Sequence, residues 1–149
     1  MRKASAILCT SLLFAGLVVL PCRAIDNPDA PDYVADFQKR VEVFEAMIDQ
    51  RAKTTQDTLE AYADYEKFLD KELNQAYKAL SVKLGVDQLA KFKQSQRDWL
   101  RYRDSEFDFI AKNWTIKNFG SSSVLSRGDY RTSLIRDRVI FLLSYLKNY

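Results

Sequence analysis

The chain has 149 residues, 47% of them hydrophobic, with 23 Lys+Arg against 20 Asp+Glu, two cysteines and no histidine. This length accommodates one domain with its own core. With no histidine, and with Cys9 and Cys22 both near the N-terminus, the rest of the chain lacks thiol and Ser-His nucleophiles and the usual zinc ligands.

The N-terminus reads as a secretory signal. Arg2 and Lys3 precede an apolar run from Ile7 to Leu20 that is short for a membrane span, and Cys22-Arg23-Ala24 supplies small residues for cleavage after Ala24. A lipid-anchored Cys22 is the alternative, but Pro21 stands where such sites carry a small residue. No later apolar run reaches about 18 residues. Arg2, Lys3 and Arg23 leave with residues 1–24, so the remainder carries 20 basic and 20 acidic side chains. A neutral, mixed surface has no field to steer phosphate backbones, and nucleic acid is not an expected partner. Residues 25–31, with Pro28 and Pro31, read as a flexible lead before a domain spanning 32–149.

In that domain Val34, Phe37, Val41, Phe44 and Ile48 alternate three- and four-residue steps, which predicts a helix over about 32–52 with Asp32 as N-cap. Thr54 and Thr55, with Gln56 and Asp57 behind them, mark the next start. The stripe Leu59, Tyr62, Leu69, Leu73, Ala76 and Leu80, interrupted by Glu66, predicts a helix over about 55–84. Gly85 is expected to end it in a left-handed turn. Asp87 is expected to cap a third helix with the stripe Leu89, Phe92, Gln96, Trp99, Arg103, Phe107 and Ile110, ending between Lys112 and Phe119. The run Gly120-Ser121-Ser122-Ser123 breaks the pattern. A fourth helix from Gly128 or Asp129 is expected to face inward with Leu134, Arg138, Phe141, Leu142 and Tyr145. No strand-like alternation appears. The expected fold is all-α, an antiparallel bundle of about four helices with the second and third as a long central hairpin.

Polar residues sit on or near these apolar seams: Asp70, Asn74, Tyr77, Gln96, Trp99, Arg103, Asp104 and Arg138. A guanidinium buried without a partner costs several kcal/mol, so Asp70, Glu66 and Asp104 are the candidate carboxylates for Arg103 and Arg138. The plain reading is a buried network that fixes helix register. The functional reading is a pocket or partner contact that reaches the surface. Glycoside hydrolysis needs only two carboxylates, but among 20 acidic residues no loop-borne pair stands out. The interleaved charges of the third helix read as a solvated face.

These blocks resemble the LprI-type lysozyme-inhibitor family of small exported bacterial proteins. The family pattern runs T-Q, a cysteine, D-x-x-L-N-x-x-Y, Q-x-x-W-x-x-x-R-D and a cysteine, G-S, then a cysteine followed by R-x-x-x-L. Here Thr55-Gln56, then Asp70, Leu73, Asn74 and Tyr77, then Gln96, Trp99, Arg103 and Asp104, then Gly120-Ser121, and finally Arg138 and Leu142 match it, over about 54–146. The family cysteines align with Gln50, Tyr62, Phe107 and Tyr130, so none is kept. Losing two disulfides calls for compensation, and we expect Phe107 and Tyr130 to touch in their place.

The resemblance implies a periplasmic or secreted binding protein that inhibits a lysozyme or another peptidoglycan-cleaving enzyme. It implies no catalytic or metal residues and no cofactor. Gly120, Ser121, Ser122, Ser123 and Arg127 are the candidate contact loop, since rigid helices can present a connector to a cleft. The alternative is a periplasmic protein-interaction module without inhibitory action, of the immunity or envelope-stress type.

Overall fold

The computed structural model describes residues 31–51 and 53–149. The signal segment, Cys9, Cys22 and residues 25–30 of the lead lie outside the described residues. The elements are α1 Tyr33–Ala46, a π-helical turn Met47–Arg51, α2 Thr55–Ser81, α3 Val86–Asn113, a short α4 Ile116–Phe119 and α5 Ser122–Leu146. The fold is an all-α bundle, and the described residues contain no strand.

Local chemistry sets most of the helix starts. The Ala35 N–H donates to Asp32 Oδ1 at 3.0 Å, so Asp32 caps α1 as expected. At α2 the Asp57 N–H donates to Thr54 Oγ1 at 3.1 Å while the Thr54 N–H donates to Asp57 Oδ2 at 3.0 Å, a reciprocal capping box. Two expectations around Gly85 are corrected. α2 ends at Ser81, and Gly85 has φ −65° in an extended conformation that makes it the N-cap of α3. Asp87 lies one residue into α3, where its charge suits the helix dipole without capping. Among the described residues the glycine with positive φ is Gly120, at 64° between α4 and α5.

Chain neighbours run antiparallel. Arg40 of α1 meets Glu72 of α2, and Tyr77 of α2 meets Phe92 of α3. The middle of the bundle, however, belongs to α2 and α5, which pack most extensively and run parallel. Tyr62 lies on Gly128, and Glu66 four residues on pairs with Arg131 three residues on. α1 covers one side of this pair and α3 the other. Phe37 and Val41 of α1 join Tyr65, Leu69, Leu73, Ala76 and Leu80 of α2 and Ile135, Val139, Leu142, Leu143 and Leu146 of α5 in one core. A fully buried side chain such as Leu69, Ile135 or Leu142 contributes about 1.5–3 kcal/mol. The α2–α3 hairpin is present, but α3 buries only Gln96 and Ile110 and rests on the pair through long side chains.

α5 departs furthest from expectation. It starts at Ser122, six residues before Gly128, with Ser123 and Val124 buried in its first turn. Phe141 and Tyr145, expected inside, are 57% and 49% exposed. The buried stripe runs instead through Thr132, Ile135, Val139, Leu142, Leu143 and Leu146.

Candidate functional site

On α3, Trp99, Arg103 and Phe107 follow at intervals of four and stack along one face. On α5, Arg131 and Arg138 are seven apart and point to that same face. The result is a ladder of alternating cations and rings. The Arg138 guanidinium lies 5.7 Å from the Trp99 ring centroid, and Arg103 lies 5.6 Å from both Trp99 and Phe107. Arg131 lies 4.0 Å from the Phe107 ring centroid. Each such contact contributes roughly 0.5–1 kcal/mol where solvent reaches it.

Carboxylates flank two of the three cations. Arg103 donates to Asp104 Oδ1 through Nε at 3.0 Å and Nη2 at 2.7 Å, and its Nη1 lies 3.7 Å from Asp70 Oδ1. Arg131 grips Glu66 with two bonds of 3.0 and 2.6 Å. Arg138 takes an amide: its Nε and Nη2 donate to Gln96 Oε1 at 3.1 and 2.9 Å. Burial pulls the Arg138 guanidinium below its ordinary value, though arginine stays charged. Burial also raises the Asp70 carboxyl above the usual aspartate value, with the Arg103 charge opposing it.

The network is therefore half-buried rather than sealed. Gln96 is its buried member, while Asp104 and Asn74 are exposed and Asp70, Tyr77, Trp99, Arg103 and Arg138 are intermediate. Asp70, Asn74, Tyr77, Gln96, Arg97 and Arg103 line a groove of about 450 Å³ between α2 and α3. Tyr77 closes one end by stacking on Phe92 at 5.1 Å. Asn74 donates to its own helix at Asp70 O, 2.8 Å away, and so stiffens the wall. Seven of the eight expected residues thus share one face of α2 and α3, and Arg138 joins them from α5. Five of them open onto the groove.

A family model for "Lysozyme inhibitor LprI" matches residues 47–142. This chain belongs to the LprI lysozyme-inhibitor family. The match takes in α2, α3, α4 and nearly all of α5, so the ladder and groove lie within the LprI region. No curated protein and no solved structure matches the chain.

Of the four positions expected to align with family cysteines, Tyr62, Phe107 and Tyr130 are aromatic and Gln50 is not, and Phe107 and Tyr130 have separate partners. Tyr130 packs against Trp114 at 4.8 Å, whereas Phe107 receives Arg131. The start of α5 does return to the end of α3, through these two contacts rather than through a Phe107–Tyr130 ring pair. The candidate contact loop is also smaller than expected. Ser122, Ser123 and Arg127 belong to α5, Ser123 is fully buried, and the Ser122 hydroxyl donates to Phe119 O at 2.8 Å. Gly120 and Ser121 remain as the exposed turn.

Sequence reading missed Arg131, whose seven-residue spacing to Arg138 was the available signal. It also missed the rings around that turn. Phe109 and Phe119, 54% and 49% exposed, both pack on Trp114.

Proposed function

We propose that this protein is exported by a signal in its first 24 residues and acts in the bacterial periplasm or outside the cell. There it binds a lysozyme or another peptidoglycan-cleaving enzyme and blocks its cleft, with no catalytic step of its own. The observation that carries this reading is the LprI match over residues 47–142.

The groove between α2 and α3 supplies the contact chemistry. Lys93, Arg97 and Arg103 outnumber Asp70 on its walls. The clefts of glycoside-cleaving enzymes carry paired carboxylates, so a basic patch on a rigid helical face is complementary to them. Gly120, Ser121, Ser122 and Arg127, at the other end of α3, are a secondary contact, from which burial excludes Ser123.

The test is dose-dependent loss of cell-wall lysis when the exported protein is added to a panel of lysozymes and lytic glycosidases. Wild type should inhibit at least one enzyme, and Lys93→Glu with Arg97→Glu should abolish that effect while leaving the helical circular dichroism unchanged. If no enzyme in the panel is slowed, the second reading takes over: a periplasmic interaction module without inhibitory action. The replacement of every family cysteine favours that second reading, since a divergent scaffold can have changed its partner.

A further inference from the structure

On the opposite side of the α2/α5 pair from the ladder, α1, the π-helical turn, α2 and α5 line an open cavity of about 250 Å³. Its walls include Glu45, Asp49, Tyr62, Tyr65, Asp129 and Arg136. Tyr65 is 4% exposed, and its hydroxyl has no hydrogen-bond partner within the protein. Arg136 Nε is likewise buried and without a partner, although its Nη1 lies 3.2 Å from Glu45 Oε1. Two polar groups left open at one cavity are unusual, because buried donors are almost always satisfied.

The chemistry of the walls narrows the guest. Arg136 Nε–H can only donate, and the Tyr65 hydroxyl can donate, so the inner part of the site calls for an oxygen acceptor. Asp49 and Asp129 stand at the exposed rim, and with Glu45 they leave the site net negative despite Arg136. A simple anion is repelled by these carboxylates, and a simple cation leaves the inner donors unmatched. The volume corresponds to roughly eight waters at about 30 Å³ each, below the range of drug-sized pockets.

We propose that this cavity binds a small zwitterion of the α-amino acid class, its carboxylate held by the Tyr65 hydroxyl and Arg136 Nε and its ammonium by Asp49 and Asp129. The Tyr62 and Tyr65 rings add faces that favour an ammonium. Burial pushes both phenols up to about 12, so the Tyr65 hydroxyl keeps its proton across the physiological range. The site is separate from the α2–α3 groove and does not depend on enzyme inhibition.

The experiment is NMR titration of the exported protein with L-alanine and with D-alanine, using N-acetylalanine and alaninamide as probes that each lack one charge. At least one alanine enantiomer should give saturable shifts, with a Kd of about 1 mM or tighter. Tyr65→Phe and Asp129→Asn should each weaken it at least about tenfold. Tyr65→Phe should keep the wild-type melting temperature, since the hydroxyl it removes has no partner. Asp129→Asn, at an exposed position, supplies the same readout if Tyr65→Phe fails to fold. The proposal is overturned if no saturable shift appears by about 10 mM. It is overturned equally if the single-charge probes bind as well, or if the folded variants bind like wild type.

Discussion

The Tyr62 ring occupies the place where a side chain on Gly128 would begin: a Cβ built there falls 2.3 Å from two ring carbons. Gly128 sits inside α5, where glycine is ordinarily about 1 kcal/mol worse than alanine. The close approach reverses that preference. Gly128→Ala should destabilise the protein by about 1–3 kcal/mol, the usual cost of overpacking. Tyr62→Leu should recover part of the loss in the double variant. Urea unfolding of the two single variants and the double variant measures both effects, and a Gly128→Ala protein more stable than wild type would contradict the packing described.

Glu72 is 7% exposed, and its carboxylate accepts from Arg40 Nε at 3.1 Å and Nη2 at 2.7 Å. The Arg40 side chain is about half in solvent, so the pair is screened on one side and contributes less than a sealed one. Arg40→Met should still cost about 1–3 kcal/mol, because it strands a buried carboxylate. Arg40→Met with Glu72→Met should return most of that stability, as apolar replacements of buried pairs often do. Thermal melts of the three variants separate the cost of the orphaned charge from the value of the pair.

How much of this was legible varies by element. In α1, Phe37 and Val41 are buried at the expected register, because a helix packed on one side shows one clean stripe. The motif residues of α2 and α3 were legible for a different reason: Asp70, Gln96 and Arg103 stand at positions where apolar residues would pack more cheaply. α5 was not legible in the same way. It is flanked by α1, α2 and α3, so its buried face is broad, and of the expected stripe Leu134, Arg138, Phe141, Leu142 and Tyr145 only Leu142 falls at its centre, while Phe141 and Tyr145 lie to one side. Its first two turns carry three serines and a glycine, poor helix formers, and burial of Val124 and the fit of Gly128 under Tyr62 override that propensity. The Glu66 interruption was visible, but its partner lies 65 residues away on α5, a distance that periodicity does not reach.

The capping box at the start of α2 carries a pH dependence. Hydrogen bonds from Thr54 hold the Asp57 carboxyl below the ordinary aspartate value of 3.8. A carboxyl depressed in the folded state stabilises fully above its unfolded value and loses that contribution as pH falls through the folded one. The first turn of α2 should therefore loosen below about pH 4 while the core helices hold. Amide exchange at Asp57 and Thr58, followed down the pH range, reads this directly. Asp57→Asn should flatten the change, and a first turn equally protected on both sides of that range would remove the role assigned to the carboxylate.

Arg131 provides the sharpest test of the ladder. Its guanidinium makes two bonds to Glu66 and lies 4.0 Å from the Phe107 ring centroid, tying α5 to both α2 and α3. Lysine keeps the charge but loses the planar fork and the stacked face, so charge alone cannot substitute. Arg131→Lys should cost about 1–2 kcal/mol, the combined loss of a charge-assisted bond and a cation–π contact. If long-range charge were the source of the stabilisation, Arg131→Lys would melt with wild type and Arg131→Gln would not. If the geometry is the source, the two variants should fall together, and Phe107→Leu should cost less in the Arg131→Lys background than in wild type. A double-mutant cycle over Arg131 and Phe107 gives that difference as a coupling energy. A value near zero would mean that the ring fills space beside the cation without holding it.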